Sequence, residues 1–95
     1  MRLKPEQIVI LKQSIQSRLP DASVYLFGSR TDDRKKGGDI DILVLSSTRL
    51  TLVQKAKIRS EYYKKFGEQK IDLVSYTYQE EDNFKELAML DAQKI

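Results

Sequence analysis

The sequence predicts an α/β (α+β) fold: a small mixed sheet of three strands with helices packed on it, mainly over one face. Three observations lead there. The short β-branched and aromatic runs SVYLF (23–27), DIDILVLS (39–46) and IDLVSY (71–76) are too brief for helices and read as strands. The stretches around and between them carry apolar residues at helical spacing. With 95 residues, 40% hydrophobic and 33% charged, the chain fits one folded domain over 1–95 with no separate substrate-specificity module.

In chain order, a helix is predicted over 5–19. Pro5 suits its first turn, Ile8, Leu11, Ile15 and Leu19 form its stripe, and Pro20 stops it. The strand 23–27 follows, closed by Gly28. SRTDDRKKGG (29–38) is polar and ends in two glycines, a loop or short helix. After the strand 39–46, Leu52, Ala56, Tyr63 and Phe66 predict a helix over about 50–66, with Gly67 as its C-cap. Only one of the adjacent Tyr62 and Tyr63 can face the core. Tyr63 fits the stripe, which leaves Tyr62 outside, either as an ordinary exposed tyrosine or, with Tyr76 and Tyr78, on a partner surface. The third strand, 71–76, leads to a last helix over about 80–93. Phe84, Leu87 and Ala88 share one face of it, and Glu80, Glu81 and Asp82 sit in its first turn, where the helix dipole favours them.

Composition removes several kinds of chemistry. There is no Cys and no His, so disulfides, thiol nucleophiles and histidine acid/base catalysis are excluded, and a zinc site has almost no ligands to draw on. No apolar run approaches the roughly 20 residues of a membrane span, and MRLKPEQ lacks a signal-peptide core, so a cytoplasmic protein with no membrane partner is expected. The net charge of +3 is too small to imply nucleic-acid binding by itself.

What remains is carboxylate chemistry. Period-two geometry sends Asp39 and Asp41 to one side of their strand, about 6.5–7 Å apart along it, and Ile40, Ile42 and Val44 to the other. Simple pairing with the third strand would bring Asp72 beside them. Three such carboxylates repel one another unless a cation compensates. All-oxygen ligation suits Mg²⁺ or Mn²⁺, and two ions about 3.5–4 Å apart are the usual device for in-line attack at phosphorus. The same pattern also describes the solvated side of an edge strand, with Asp72 a strand-entry charge.

Gly28 and Ser29 follow a buried strand directly. A turn there offers free backbone N–H groups and a hydroxyl, the means by which phosphates are held. Arg30 adjoins it, and Arg34, Lys35 and Lys36 lie between it and the Asp pair, either as phosphate-binding cations or as a solvated loop neutralised by Asp32 and Asp33.

Together LFGSR (26–30), GDIDILV (38–44) and IDLV (71–74) make the chain resemble the minimal nucleotidyltransferases of the DNA polymerase beta superfamily. The resemblance spans about residues 25–74. It implies a nucleotidyltransferase fold in which Gly28 and Ser29 hold a triphosphate, Asp39 and Asp41 bind metal, and Asp72 is the third carboxylate. Relatives of this size are encoded beside an all-helical protein of the HEPN class, and some act as antitoxins by moving AMP from ATP to a tyrosine of that partner. Thr31, Asp32 and Asp33 depart from the small, basic and glycine residues that many relatives carry there.

The expected activity is therefore nucleotidyl transfer with two Mg²⁺ ions, with Asp39, Asp41 and Asp72 as catalytic carboxylates and metal ligands, Gly28 and Ser29 on the phosphates, and Arg30 stabilising the leaving pyrophosphate. A protein acceptor is favoured over a nucleic acid, since there is no second basic track. One alternative is a non-catalytic subunit that neutralises its partner by occlusion. Another is a small-molecule transferase half, which would need an acceptor domain.

Overall fold

The computed structural model describes residues 3–28 and 39–95. Among the described residues, three helices and four strands follow in the order α1 (Pro5–Gln16), β1 (Ser23–Leu26), β2 (Ile40–Ser46), α2 (Leu52–Phe66), β3 (Ile71–Thr77), α3 (Asn83–Met89) and β4 (Gln93–Lys94). The strands form one mixed sheet in the order β3-β2-β1-β4. β1 runs antiparallel to β2 and to β4, whereas β2 and β3 are parallel, joined through α2 as parallel neighbours require.

Period-two alternation divides the sheet into two apolar layers. Val24, Leu26, Ile40, Ile42, Val44, Ile71 and Leu73 face α1 and α2, and this larger layer holds Leu11, Ile15, Ile58 and Tyr62 at zero solvent exposure. On the other face Leu43 and Leu45 meet Phe27 and Ala88, with Val74, Tyr76 and Met89 packed around them. The prediction of helices mainly on one face therefore needs amending: α3 covers part of the second.

Local chemistry explains the helix limits. Thr51 caps α2 by accepting from Gln54 N at 3.1 Å, while Gln54 Oε1 accepts from Thr51 N at 2.9 Å. At the other end Gly67, at φ 86°, turns the chain out and donates to Tyr63 O at 2.8 Å.

The apolar stripe of α2 differs from the predicted one. Ile58 and Tyr62 are its buried residues, Phe66 continues the i, i+4, i+8 row, and Leu52 in the first turn is 82% exposed. Tyr62, expected outside, is fully buried, and Tyr63 is only partly so. A buried phenol is tolerated because its hydroxyl is satisfied, accepting from Gln7 Nε2 at 2.7 Å and donating to Gln69 Oε1 at 3.2 Å. Tyr62 is thereby removed from any partner surface.

The last helix is shorter than predicted. Asp82 caps it, accepting from Lys85 N at 2.9 Å, and it ends at Met89 with Ala88 as its one buried residue; Phe84 and Leu87, placed with Ala88 on one face by the sequence, are exposed. The chain then returns along β1 as β4, a fourth strand of two polar residues. Ile95, which donates to Val24 O at 2.9 Å and packs on the larger layer, holds it there.

Candidate functional site

The topology brings three chain segments to one end of the sheet. Antiparallel pairing sets Leu26, at the end of β1, opposite Ile42, so Gly28 arrives beside the start of β2; parallel pairing sets Asp72 directly opposite Asp41. Phe27 fixes the approach by donating its N–H to Asp41 O at 3.1 Å.

Gly28 is required here on two counts. Its φ of +74° lies in the left-handed region, and a Cβ on it would stand 2.7 Å from Asp41 Oδ2 and 3.3 Å from Asp41 Cγ. The backbone after β1 thus lies directly against the Asp41 carboxyl.

That carboxyl is electrostatically uncomfortable. Burial pushes its pKa above the ordinary carboxylate value, and the hydrogen bond and charge of Asp72 push it further, followed by the charge of Asp39; Lys70 opposes them. Lys70 Nζ lies 3.8 Å from Asp39 Oδ2, with both side chains largely in solvent, so the pair relieves little of the repulsion felt at Asp41. Sequence reasoning missed Lys70. Its signal was available, since Lys70 precedes Asp72 by two residues and period-two geometry puts both on one side.

Of the predicted site residues, the structure sets Asp41, Asp72 and Gly28 together, with Asp39 at the entry to β2 paired to Lys70. Ser29, Arg30, Arg34, Lys35 and Lys36 lie outside the described residues. Among the described residues no group of three acidic or other ligating side chains is gathered into a ready-made metal cluster. The chemistry of the donors nonetheless fits a hard divalent cation: they are carboxylate oxygens, and among the described residues the charge of Lys70 does not outweigh the burial and the neighbouring carboxylates that raise the Asp41 pKa. An open hollow of about 390 Å³ lies alongside, lined by Tyr63, Glu68, Gln69 and Lys70 but by none of the three aspartates.

The polymerase beta nucleotidyltransferase family profile matches residues 8–95. The chain belongs to that family. Divalent metals serve its chemistry generally, and the reaction of the class is transfer of a nucleotidyl group to an acceptor. A relative from Haemophilus influenzae, named a probable protein adenylyltransferase MntA, is 28% identical over 86 residues, covering 90% of this chain and 75% of its own. Two solved structures share the fold. One is a chain of a mutant toxin–antitoxin complex, MntA–HpeT, with a TM-score of 0.69 at 17% identity, covering 97% of this chain and 71% of that one. The other belongs to a complex of a tri-AMPylated Shewanella oneidensis HEPN toxin with its MNT antitoxin, with a TM-score of 0.59 at 19% identity over 93% of this chain and 70% of that one. The class expected from the sequence, helices on a mixed sheet, is the one these structures share, with one strand more than predicted. Among the described residues no helix is long and apolar enough to cross a membrane.

Proposed function

We propose that residues 1–95 act as one nucleotidyltransferase domain that moves AMP from ATP to a tyrosine hydroxyl of an all-helical HEPN-class protein, and so serve as that protein's antitoxin in the cytoplasm. The observation that carries this reading is the convergence of Gly28, Asp41 and Asp72 at one sheet end, with Gly28 pressed against the Asp41 carboxyl. The adenylyltransferase name of the Haemophilus relative and the AMPylated toxin in the Shewanella complex support the choice of group and acceptor.

Asp39, Asp41 and Asp72 would hold Mg²⁺, two ions in the full site, with Mn²⁺ as a substitute. Bound there, the metal would supply charge neutralisation for a triphosphate. The backbone at Gly28, the Ser29 hydroxyl and Arg30 would hold the phosphates, Arg30 on the pyrophosphate side. In the reaction the tyrosine oxygen bonds to the α-phosphorus as the bond from that phosphorus to the α,β-bridging oxygen breaks. Pyrophosphate leaves, and the phenolic proton passes to Asp72, whose place opposite Asp41 suits it to orient the acceptor. Fixed placement is the protein's main contribution, because the leaving group needs little covalent help.

The test is incubation with α-labelled ATP, Mg²⁺ and the HEPN-class protein encoded beside this chain. Label retained on that protein, and lost on Tyr→Phe substitution at its acceptor, supports the reading. Label on tRNA or oligonucleotides would overturn the protein acceptor. Neutralisation of the partner without any transfer would favour the non-catalytic antitoxin.

A further inference from the structure

The second sheet face carries a feature that the transfer reaction leaves unused. On α3 and its C-cap, Phe84, Leu87 and Leu90 are 47%, 67% and 81% exposed, although their spacing is that of a helix stripe built to be covered. Only Ala88 of this helix is fully engaged with the sheet.

The patch has a charge signature. Within 80–91 the chain has five acidic residues, Glu80, Glu81, Asp82, Glu86 and Asp91, and one basic residue, Lys85, in a protein whose net charge is +3. Lys85 is turned inward, donating to the carbonyls of Thr77, Tyr78 and Glu80 at 3.2, 3.1 and 2.7 Å. Glu80 is engaged by Arg49. Within this segment of the described residues, the acids left exposed beside the apolar residues are Glu81, Glu86 and Asp91.

The patch is also continuous with the candidate site. Phe84 meets Phe27 edge-on at 5.8 Å between ring centres, and Phe27 donates to Asp41 O. Asp41 shares its sheet face with Leu43 and Leu45, the residues that α3 covers. A second exposed apolar pair, Leu52 (82%) and Val53 (64%), begins α2, beyond the opposite end of β2 from Asp41, and lacks this continuity.

We propose that the exposed face of α3, Phe84, Leu87 and Leu90 with its acidic rim, docks a helix of the tyrosine-bearing acceptor protein, one whose apolar stripe is flanked by lysines or arginines. The inference rests on the protein-acceptor reading above. An apolar centre with a complementary charged rim is how a helix is seated and oriented in a groove, and this placement would set the acceptor tyrosine on the sheet face that carries Asp41 and Asp72.

The experiment is titration calorimetry of the full chain with the HEPN-class protein encoded beside it, paired with the label-transfer assay. The double variant Leu87→Glu/Leu90→Glu should weaken binding at least about tenfold, as expected where buried apolar anchors are lost. At saturating partner its transfer rate should recover, because the carboxylates are untouched. Glu81→Lys/Glu86→Lys should weaken binding in the same direction through charge alone, and Leu52→Glu/Val53→Glu should leave it unchanged. Wild-type affinity in the α3 double variant would overturn the proposal, as would absence of binding by the folded wild type. So would a wild-type dimer that the variant converts to a monomer, which would mean that a second copy covers the patch. Binding that depends on Leu87 and Leu90 without any label transfer would uphold the docking surface and overturn the transferase reading alone.

Discussion

The two faces of β2 and β3 have opposite characters within the same few residues. Toward α1 and α2, Ile40, Ile42, Ile71 and Leu73 are almost fully buried in the larger apolar layer. Toward the other side, one residue away in each case, Asp41 and Asp72 stand opposite one another in a partly buried, mutually repulsive pair. One face therefore supplies the cohesion that the other spends: the apolar layer holds both strand starts in register, and the register keeps two carboxylates closer than they would choose. A site of this kind is expected to be locally destabilising and dependent on a ligand for relief.

Substitutions on the two faces should separate these roles. The largest effect is expected from Asp41→Asn, which keeps the shape and removes the charge. AMP transfer should fall by about a hundredfold or more, in line with the loss of a preorganised charged group, while the circular dichroism spectrum stays native. One residue along, Ile42→Ala should do the reverse. Chemical denaturation should report a loss of about 2–5 kcal/mol, the usual cost of truncating a fully buried isoleucine, with transfer per folded molecule retained. If Asp41→Asn unfolds the metal-free chain, the carboxylate is structural and the division between the faces fails.

Gly28→Ala tests the junction between the faces. The positive φ costs a side chain about 1–2 kcal/mol, and the new methyl would collide with the Asp41 carboxyl. A drop of roughly tenfold in transfer is expected, comparable to that energy, with a smaller stability loss than Ile42→Ala. An alanine variant with full activity would show that the close approach of Gly28 to Asp41 is incidental.

The smallest effect is a pH signature. Because the Asp41 pKa is raised in the folded chain, the folded state binds this proton more tightly than the unfolded state does, and stability falls as pH rises through the window above the ordinary value of 3.8. Asp41→Asn lacks that loss. Without metal, the melting temperatures of variant and wild type should coincide at pH below about 3.8 and diverge above it, the variant being the more stable. Divergence in the opposite sense would mean that Asp41 is held by favourable partners instead.

Much of this division was legible in the sequence because alternation is a strong signal. Ile40, Ile42 and Val44 against Asp39 and Asp41 fixes the side of each residue whatever the topology, and Gly28 marked a turn after the strand, although not its close approach to Asp41. Asp72 beside Asp41 was expected from strand pairing, whereas the parallel sense and the register that set it opposite Asp41 are tertiary facts set by the α2 crossover. The helix stripe was misread where two rows compete: Leu52, Ala56 and Tyr63 against Ile58, Tyr62 and Phe66, with Phe66 compatible with both. Burial of Tyr62 is permitted by hydrogen bonds between its hydroxyl and Gln7 and Gln69, residues remote in sequence or beyond the helix, which the α2 sequence alone does not reveal. β4 was illegible because Gln93 and Lys94 carry no strand signal; backbone pairing and the anchoring of Ile95 create it.

Asp41 and Asp72 form a repulsive pair, and if a divalent cation relieves it, as proposed above, a thermal-shift comparison will register the relief. Wild type and Asp41→Asn are melted at pH 7 in chelator, then in millimolar Mg²⁺ with and without ATP. A ligand that binds only the folded state raises its melting temperature, so Mg²⁺ with ATP should stabilise the wild type by several degrees, a shift worth about 1 kcal/mol or more in a chain of this size. The variant, already free of the repulsion, should move little. A wild type unmoved by Mg²⁺, with and without ATP, would mean that no cation is held between Asp41 and Asp72.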